Sequence, residues 1–251
     1  MISKDAERLA REIFIRTTVG NISVFSFRGL GLLGLPHAKN EEARTWERIF
    51  NRVFARAEET AGLLGQKNVL GIEFVENEAK QMTEKSVAAF ESALDAASLI
   101  FSHSLLDGAA FDWCRVCALA RPDDFMRYIG KRKVTLTLIE AQTAPFLELR
   151  NKEIFRYLKA KSLPKKLDIL FALCRPPPSL QNYNYDRKRI RDLHTLRNDY
   201  VHRGWVGRRL PQGDDDLVFL SNTTTFLFHL ATQRYGIRLD PNALVGAFPA
   251  Q

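Results

Sequence analysis

The residues best suited to chemistry lie in the run D-R-K-R-I-R-D-L-H-T-L-R-N-D-Y-V-H, from Asp186 to His202. Wound as a helix at about 100° per residue, it gathers Ile190, Leu193, Leu196, Tyr200 and Val201 into one arc, the stripe expected to be buried. Arg197 falls inside that arc. His194, Asn198 and His202 line its adjacent edge, with Asn198 and His202 one turn apart. An arginine on an apolar stripe is costly unless its charge is paired or used. Either an acid from a neighbouring helix neutralises it, or it is kept for a ligand. A histidine can take up or release a proton near neutral pH, and a guanidinium can grip phosphate oxygens at two points. Asn198 is placed to orient either a phosphate or His202.

The elements that position these residues read as mainly helical. Periodicity predicts helices over 4–17, from Glu41 to about Leu64, over 79–105, from Asp107 to Leu119, from Phe125 to Ile129 and within 133–161. Pro164 opens a further helix that ends before Pro176-Pro177-Pro178, and a polar loop carries Tyr183 and Tyr185. The basic helix follows from about Asp186 to His202, with Gly204 as its stop. Asp214-Asp215-Asp216 favours the start of the last helix, which ends near Gly236. A weak strand is expected at N-I-S-V-F-S-F (21–27), and a short strand or connector at V-L-G-I-E-F (69–74). The expected architecture is an all-α helical bundle over 76–240, preceded by a mainly helical N-terminal segment (1–75) of unassigned role and followed by a short tail (241–251).

Charge singles out the same region. The 251-residue chain carries a net charge of +8. Residues 121–209 hold 21 Lys/Arg against 9 Asp/Glu, while the flanks on either side are each at −2. Positive charge confined to one third of a chain suits a polyphosphate partner. A content of 45% hydrophobic and 26% charged residues is that of a globular protein rather than a disordered one. Three cysteines are too few and too unevenly spaced for a disulfide framework, the N-terminus lacks the apolar core of a secretory signal, and no membrane span is expected. A reduced, cytoplasmic protein follows as the expectation.

Other motifs carry less. Gly29-Leu-Gly-Leu-Leu-Gly34 matches G-x-G-x-x-G, but Leu35-Pro36 follows where a phosphate-binding helix must begin, so an apolar loop is expected. Cys114-x-x-Cys117 lacks a second ligand pair and reads as core. His103 and Asp107 stand one turn apart with no second pair to complete a metal site. No cofactor or metal is expected.

R-N-D-Y-V-H (197–202) resembles the signature of the HEPN family: an arginine, a polar neighbour, and a histidine after a short gap, late in a helical bundle. The resemblance spans roughly residues 79–236. It implies metal-independent endoribonuclease activity of the toxin or phage-defence kind, with Arg197, His202 and Asn198 at the site and His194, Arg187, Lys188, Arg189, Arg191 and Arg203 against RNA. It also implies a homodimer with two motifs across a groove, so that one His202 acts as base and its symmetry mate as acid, with His194 as a local alternative. An antitoxin or regulatory protein is a further implied partner. Some two-gene toxins of the family carry a tyrosine three residues after the histidine. Trp205 stands there in this chain, so tyrosine modification is not carried over. The alternative within the family is a non-catalytic module that binds RNA or a protein.

Overall fold

Glycines spaced for close helix contact join segments that local propensity separates. The computed structural model describes residues 4–63, 72–121, 124, 125, 127, 128, 154–175, 186–204 and 208–237. Helix α1 runs unbroken over Lys4–Leu63, and α2 over Ile72–Ala120. The strand expected at 21–27, the loop expected at Gly29–Gly34 and the two separate helices around them are therefore all parts of α1. Asn21–Phe27 has the β-branched and aromatic make-up of a strand. Tertiary packing overrides it, because Thr17, Gly20, Val24, Arg28 and Gly31 recur at three- and four-residue steps and form one stripe against α2. A Cβ at Gly20 would stand 2.5 Å from Leu105 Cδ2, and one at Gly31 would stand 2.9 Å from Leu94 Cδ1. These glycines serve close approach of two helices. Pro36 lies inside α1, where the sequence pattern puts a break. The helices expected over 79–105 and 107–119 are likewise one, and residues 72–74, expected in a strand or connector, are helical.

α1 and α2 are antiparallel: Arg16 bonds Asp112, while Arg28, further along α1, bonds Asp95, earlier in α2. Three shorter helices complete the bundle: α3 (Leu163–Cys174), α4 (Arg187–Arg203) and α5 (Asp214–Tyr235). Their ends follow the sequence signals. A proline sits in the first turn of α3. The Asp186 carboxylate accepts from Arg189 N–H at 2.9 Å to cap α4, and Gly204, at φ 85°, ends it. Gly236 is left-handed at φ 63°, and Ile237 N–H reaches back to Thr232 C=O to close α5. Residues 154–159 form a further helical turn. No strand occurs among the described residues, and the fold is all-α.

One core unites these elements. Ala10 and Ile13 of α1 meet Leu99, Leu106 and Trp113 of α2, Leu167 and Leu170 of α3, Ile190 and Tyr200 of α4, and Leu217 and Leu227 of α5. The three cysteines are buried in it and unbridged, as the core reading expects; the sulfurs of Cys117 and Cys174 lie 3.7 Å apart. Asp95, 3% exposed at its side chain, ties the far end of the bundle together. It accepts from Arg28 Nη1 at 2.7 Å, Arg209 Nε at 2.7 Å and Leu210 N–H at 3.1 Å. Arg28 also bonds Asp214, and Arg209 bonds Glu91.

Past Arg28 no described side chain of α1 is buried, and before Ser92 only Ala79 and Thr83 of α2 are. The distal parts of α1 and α2 therefore extend from the bundle as an arm, over roughly 50 Å for α1 and roughly 30 Å for α2 at about 1.5 Å per residue. The expectation of no membrane-length segment is corrected on length and composition alone: a stretch within Lys4–Arg56 meets that criterion. Tyr183, Tyr185, Trp205, residues 69–71 of the expected strand or connector, most of the helical region expected at 133–161 and the tail at 241–251 lie outside the described residues.

Candidate functional site

α4 carries the predicted residues, and packing fixes which of its sides is inward. Ile190, Leu193 and Tyr200 are buried, Leu196 is half-buried, and Val201, expected in the stripe, is 46% exposed. The stripe is thus narrower at its C-terminal end than the wheel suggests, and His202 and Arg203 stand exposed on the last turn. The Arg203 cation there is favoured by the negative end of the helix dipole.

Arg197 is half-buried, and among the described residues no carboxylate pairs with it. Its Nη1 donates to Asn198 Oδ1 at 3.0 Å, while its buried Nε has no acceptor among those residues. Asn198 Nδ2 lies 3.3 Å from His194 Nε2, and His194 Nδ1 lies 2.9 Å from His103 Nε2 on α2. The two imidazoles stack with centroids 5.1 Å apart.

The chain of bonds has one direction. Arginine can only donate, so it takes the Asn198 oxygen and turns the amide nitrogen toward His194. His194 then accepts at Nε2 and carries its proton on Nδ1, which donates to Nε2 of His103. Both rings must be neutral. A proton added to His194 Nε2 would face an N–H of Asn198, and one added to His103 Nε2 would face Nδ1–H. The electrostatics agree. Burial, and then the neighbouring His194, push the His103 pKa down to about 4. Burial also lowers His194, with Arg197 and Lys166 acting in the same direction and Asp107 against them.

Sequence reasoning set His103 beside Asp107 as an incomplete metal pair and missed its bond to His194. His103 is 4% exposed and follows Asp95, Ser98 and Ser102 along the buried side of α2. Asp95, Ser98 and Ser102, stepping by three and four residues within an apolar helix and leading to the adjacent His103, were the available signal. Its expected neighbour Asp107 is engaged by Lys166, whose Nζ is 2.8 Å from both carboxylate oxygens.

The residues expected to face RNA divide. Lys188 and Arg191 are exposed. Arg187 is exposed but lies 3.4 Å from Asp168, and Arg203 lies 3.4 Å from Asp199. Arg189 is committed to the fold: Nε and Nη2 bond the buried Asp216 at 2.9 and 2.7 Å, and the guanidinium sits 4.6 Å from the Phe219 ring centroid. Asp216 also accepts from Gln212 N–H, so it is a structural residue. Elsewhere, Arg121, Arg127, Arg175 and Arg234 line a cleft of about 370 Å³ where α2, α3 and α5 end. The C-terminal ends of three helices there favour cations, and Arg121 lies 3.8 Å from Asp124, which also lines the cleft.

No family model matches the chain, and neither a curated protein nor a solved structure matches it.

Proposed function

We propose that the chain is a metal-independent endoribonuclease of the HEPN type, of the toxin or phage-defence kind, acting as a homodimer. The observation that carries this reading is Arg197. Its charge is left without a carboxylate among the described residues and its buried Nε without an acceptor, on the same helix as the exposed His202. A structural arginine in such a place is expected to be neutralised within its own subunit. Both ring nitrogens of His194 are engaged, which leaves His202 as the histidine of α4 with its ring open to substrate.

RNA carries its own nucleophile. His202 of one subunit removes the 2′-OH proton, and the 2′-oxygen attacks the adjacent phosphorus. Arg197 stabilises the negative charge on the non-bridging oxygens. The bond to the 5′-oxygen breaks, and His202 of the other subunit protonates the leaving oxygen. The products are a 2′,3′-cyclic phosphate and a 5′-hydroxyl. Asn198, held by the histidine pair, fixes the direction in which Arg197 points.

Cleavage in EDTA tests the reading. His202→Ala is expected to lower the rate by about 10²–10⁴, the usual worth of positioned proton transfer. Arg197→Lys is expected to recover little of the loss caused by Arg197→Ala, because lysine lacks the fork. A substrate with 2′-deoxy at the cut site should resist. Its cleavage at the normal rate would refute the mechanism, and RNA binding without cleavage would return the chain to a non-catalytic module.

A further inference from the structure

The cleft where α2, α3 and α5 end gathers more positive charge than its described surroundings neutralise. Arg121, Arg127, Arg175 and Arg234 line a space of about 370 Å³, and all are exposed. Arg189, Lys166 and Arg209, which tie other elements together, are each met by a carboxylate, that of Asp216, Asp107 and Asp95 respectively. In the cleft, Arg121 has Asp124 at 3.8 Å. Arg127, Arg175 and Arg234 have no carboxylate partner among the described residues. The end of a helix carries about half a negative charge, so the three helix ends offset roughly one and a half of the guanidinium charges, and Asp124 offsets about one more. Roughly one and a half positive charges are left over among the described residues, and they converge on one concavity.

The backbone of Arg175 is an independent sign. Arg175 follows the last residue of α3 at φ 46°, in the left-handed region that glycine enters without steric cost. The other described residues with positive φ, Gly204, Gly213 and Gly236, are all glycines. For a residue with a side chain this conformation is strained. Glycine would end α3 without strain, but it would place no guanidinium on the wall of the cleft.

We propose that this cleft binds a small anion built of linked phosphate groups, a di- or triphosphate. Guanidiniums take phosphate oxygens two at a time. Cations brought from three helix ends around one space suit several phosphates held together, whereas the phosphates of a nucleic-acid strand call for a track. The volume lies at the small end of ligand-sized pockets. Arg121 stands 18 residues beyond His103, roughly 27 Å along α2 at about 1.5 Å per residue. The cleft is therefore separate from the residues around Arg197, and the proposal does not rest on the ribonuclease reading.

Calorimetric titration of the full chain with inorganic tripolyphosphate, at constant ionic strength, tests it. One tripolyphosphate should bind per chain, and orthophosphate about tenfold more weakly or worse, because it reaches fewer guanidiniums. Arg127→Ala with Arg234→Ala should weaken tripolyphosphate binding about tenfold or more for each charged donor lost. Far-UV circular dichroism should stay unchanged, since both side chains are exposed. Arg175→Gly should weaken binding as well, and the chain should stay folded because glycine relieves the left-handed backbone. Lys188→Glu with Arg191→Glu, on the outer face of α4, removes positive charge elsewhere and should leave tripolyphosphate binding as it is. The proposal is overturned if tripolyphosphate fails to bind wild type up to about 1 mM, or if it binds wild type and the cleft variants alike. It is also overturned if the α4 variant loses as much affinity as the cleft variants, which would reduce the effect to net charge. A short RNA that displaces tripolyphosphate and loses affinity to the same degree in the Arg127→Ala, Arg234→Ala chain would overturn it too, by giving the cleft to RNA.

Discussion

Arg197 sets the protonation of two histidines it does not touch. As a pure donor it orients Asn198, and Asn198 leaves His194 with only one tautomer that bonds at both ends. The pair is therefore a device for holding an uncompensated guanidinium still, and it works only while both rings are neutral. A pH dependence follows with a definite sign. His103 has a pKa of about 4 in the fold against an ordinary 6.5, so the unfolded chain binds more protons between those values. Its contribution to stability is complete above pH 6.5 and is lost as pH falls toward 4. At about 1.4 kcal/mol per unit, the loss is at most about 3.5 kcal/mol. Asp95 is held below its usual 3.8, with Arg209 and Arg28 opposing the effect of burial. Its loss therefore comes at lower pH and can be separated. Urea unfolding between pH 7 and 4 checks this, and His103→Leu should flatten the curve in that window. A wild-type curve that is already flat there would contradict neutral rings in the fold.

At the scale of elements, glycines explain much of what the sequence hid. Gly20 and Gly31 bring α1 onto Leu105 and Leu94, whereas Gly34 has nothing within 4 Å of where a Cβ would stand. Gly34→Ala should therefore gain helix propensity, about 0.5–1 kcal/mol, and raise the melting temperature by up to about 3 °C. Gly20→Ala gains the same propensity but drives its Cβ into Leu105, so its melting temperature should be the lower of the two variants. Equal melting temperatures would mean that the close approach of α1 and α2 carries no weight. The same contrast shows what was legible in the sequence. The limits of α3, α4 and α5 were readable because proline, Asp186, Gly204 and Gly236 act locally, through capping and left-handed backbone. The continuity of α1 was not, because Val24 and Phe25 favour a strand until α2 supplies the surface that Val24 and Gly31 pack against. The order Arg197, Asn198, His194 could be placed on one helix. His103 could not be joined to it, since the link crosses between helices 91 residues apart in sequence.

Across the whole molecule, the basic third is less free than its composition suggests. Arg189 is bonded to Asp216, Arg209 to Asp95 and Glu91, Lys166 to Asp107, and Arg208 to Asp199. These cations hold the bundle together and are poor places to seek a phosphate. Lys188 and Arg191 differ: they are exposed, and on the wheel they share an arc of about 80° with Thr195, Asn198 and His202. That arc forms a track of positive charge leading along α4 to His202. If RNA follows it, Lys188→Glu with Arg191→Glu should weaken binding and flatten the slope of log affinity against log salt. The expected change is about 0.7 for each phosphate of a single strand that the variant no longer neutralises. Arg189→Glu should instead lower stability, because it sets a second carboxylate beside the buried Asp216. Fluorescence anisotropy with a short labelled RNA at several salt concentrations separates the two effects. An unchanged slope in the Lys188→Glu, Arg191→Glu chain would place the RNA on another surface, and His202 would then be reached by a route that avoids the outer face of α4.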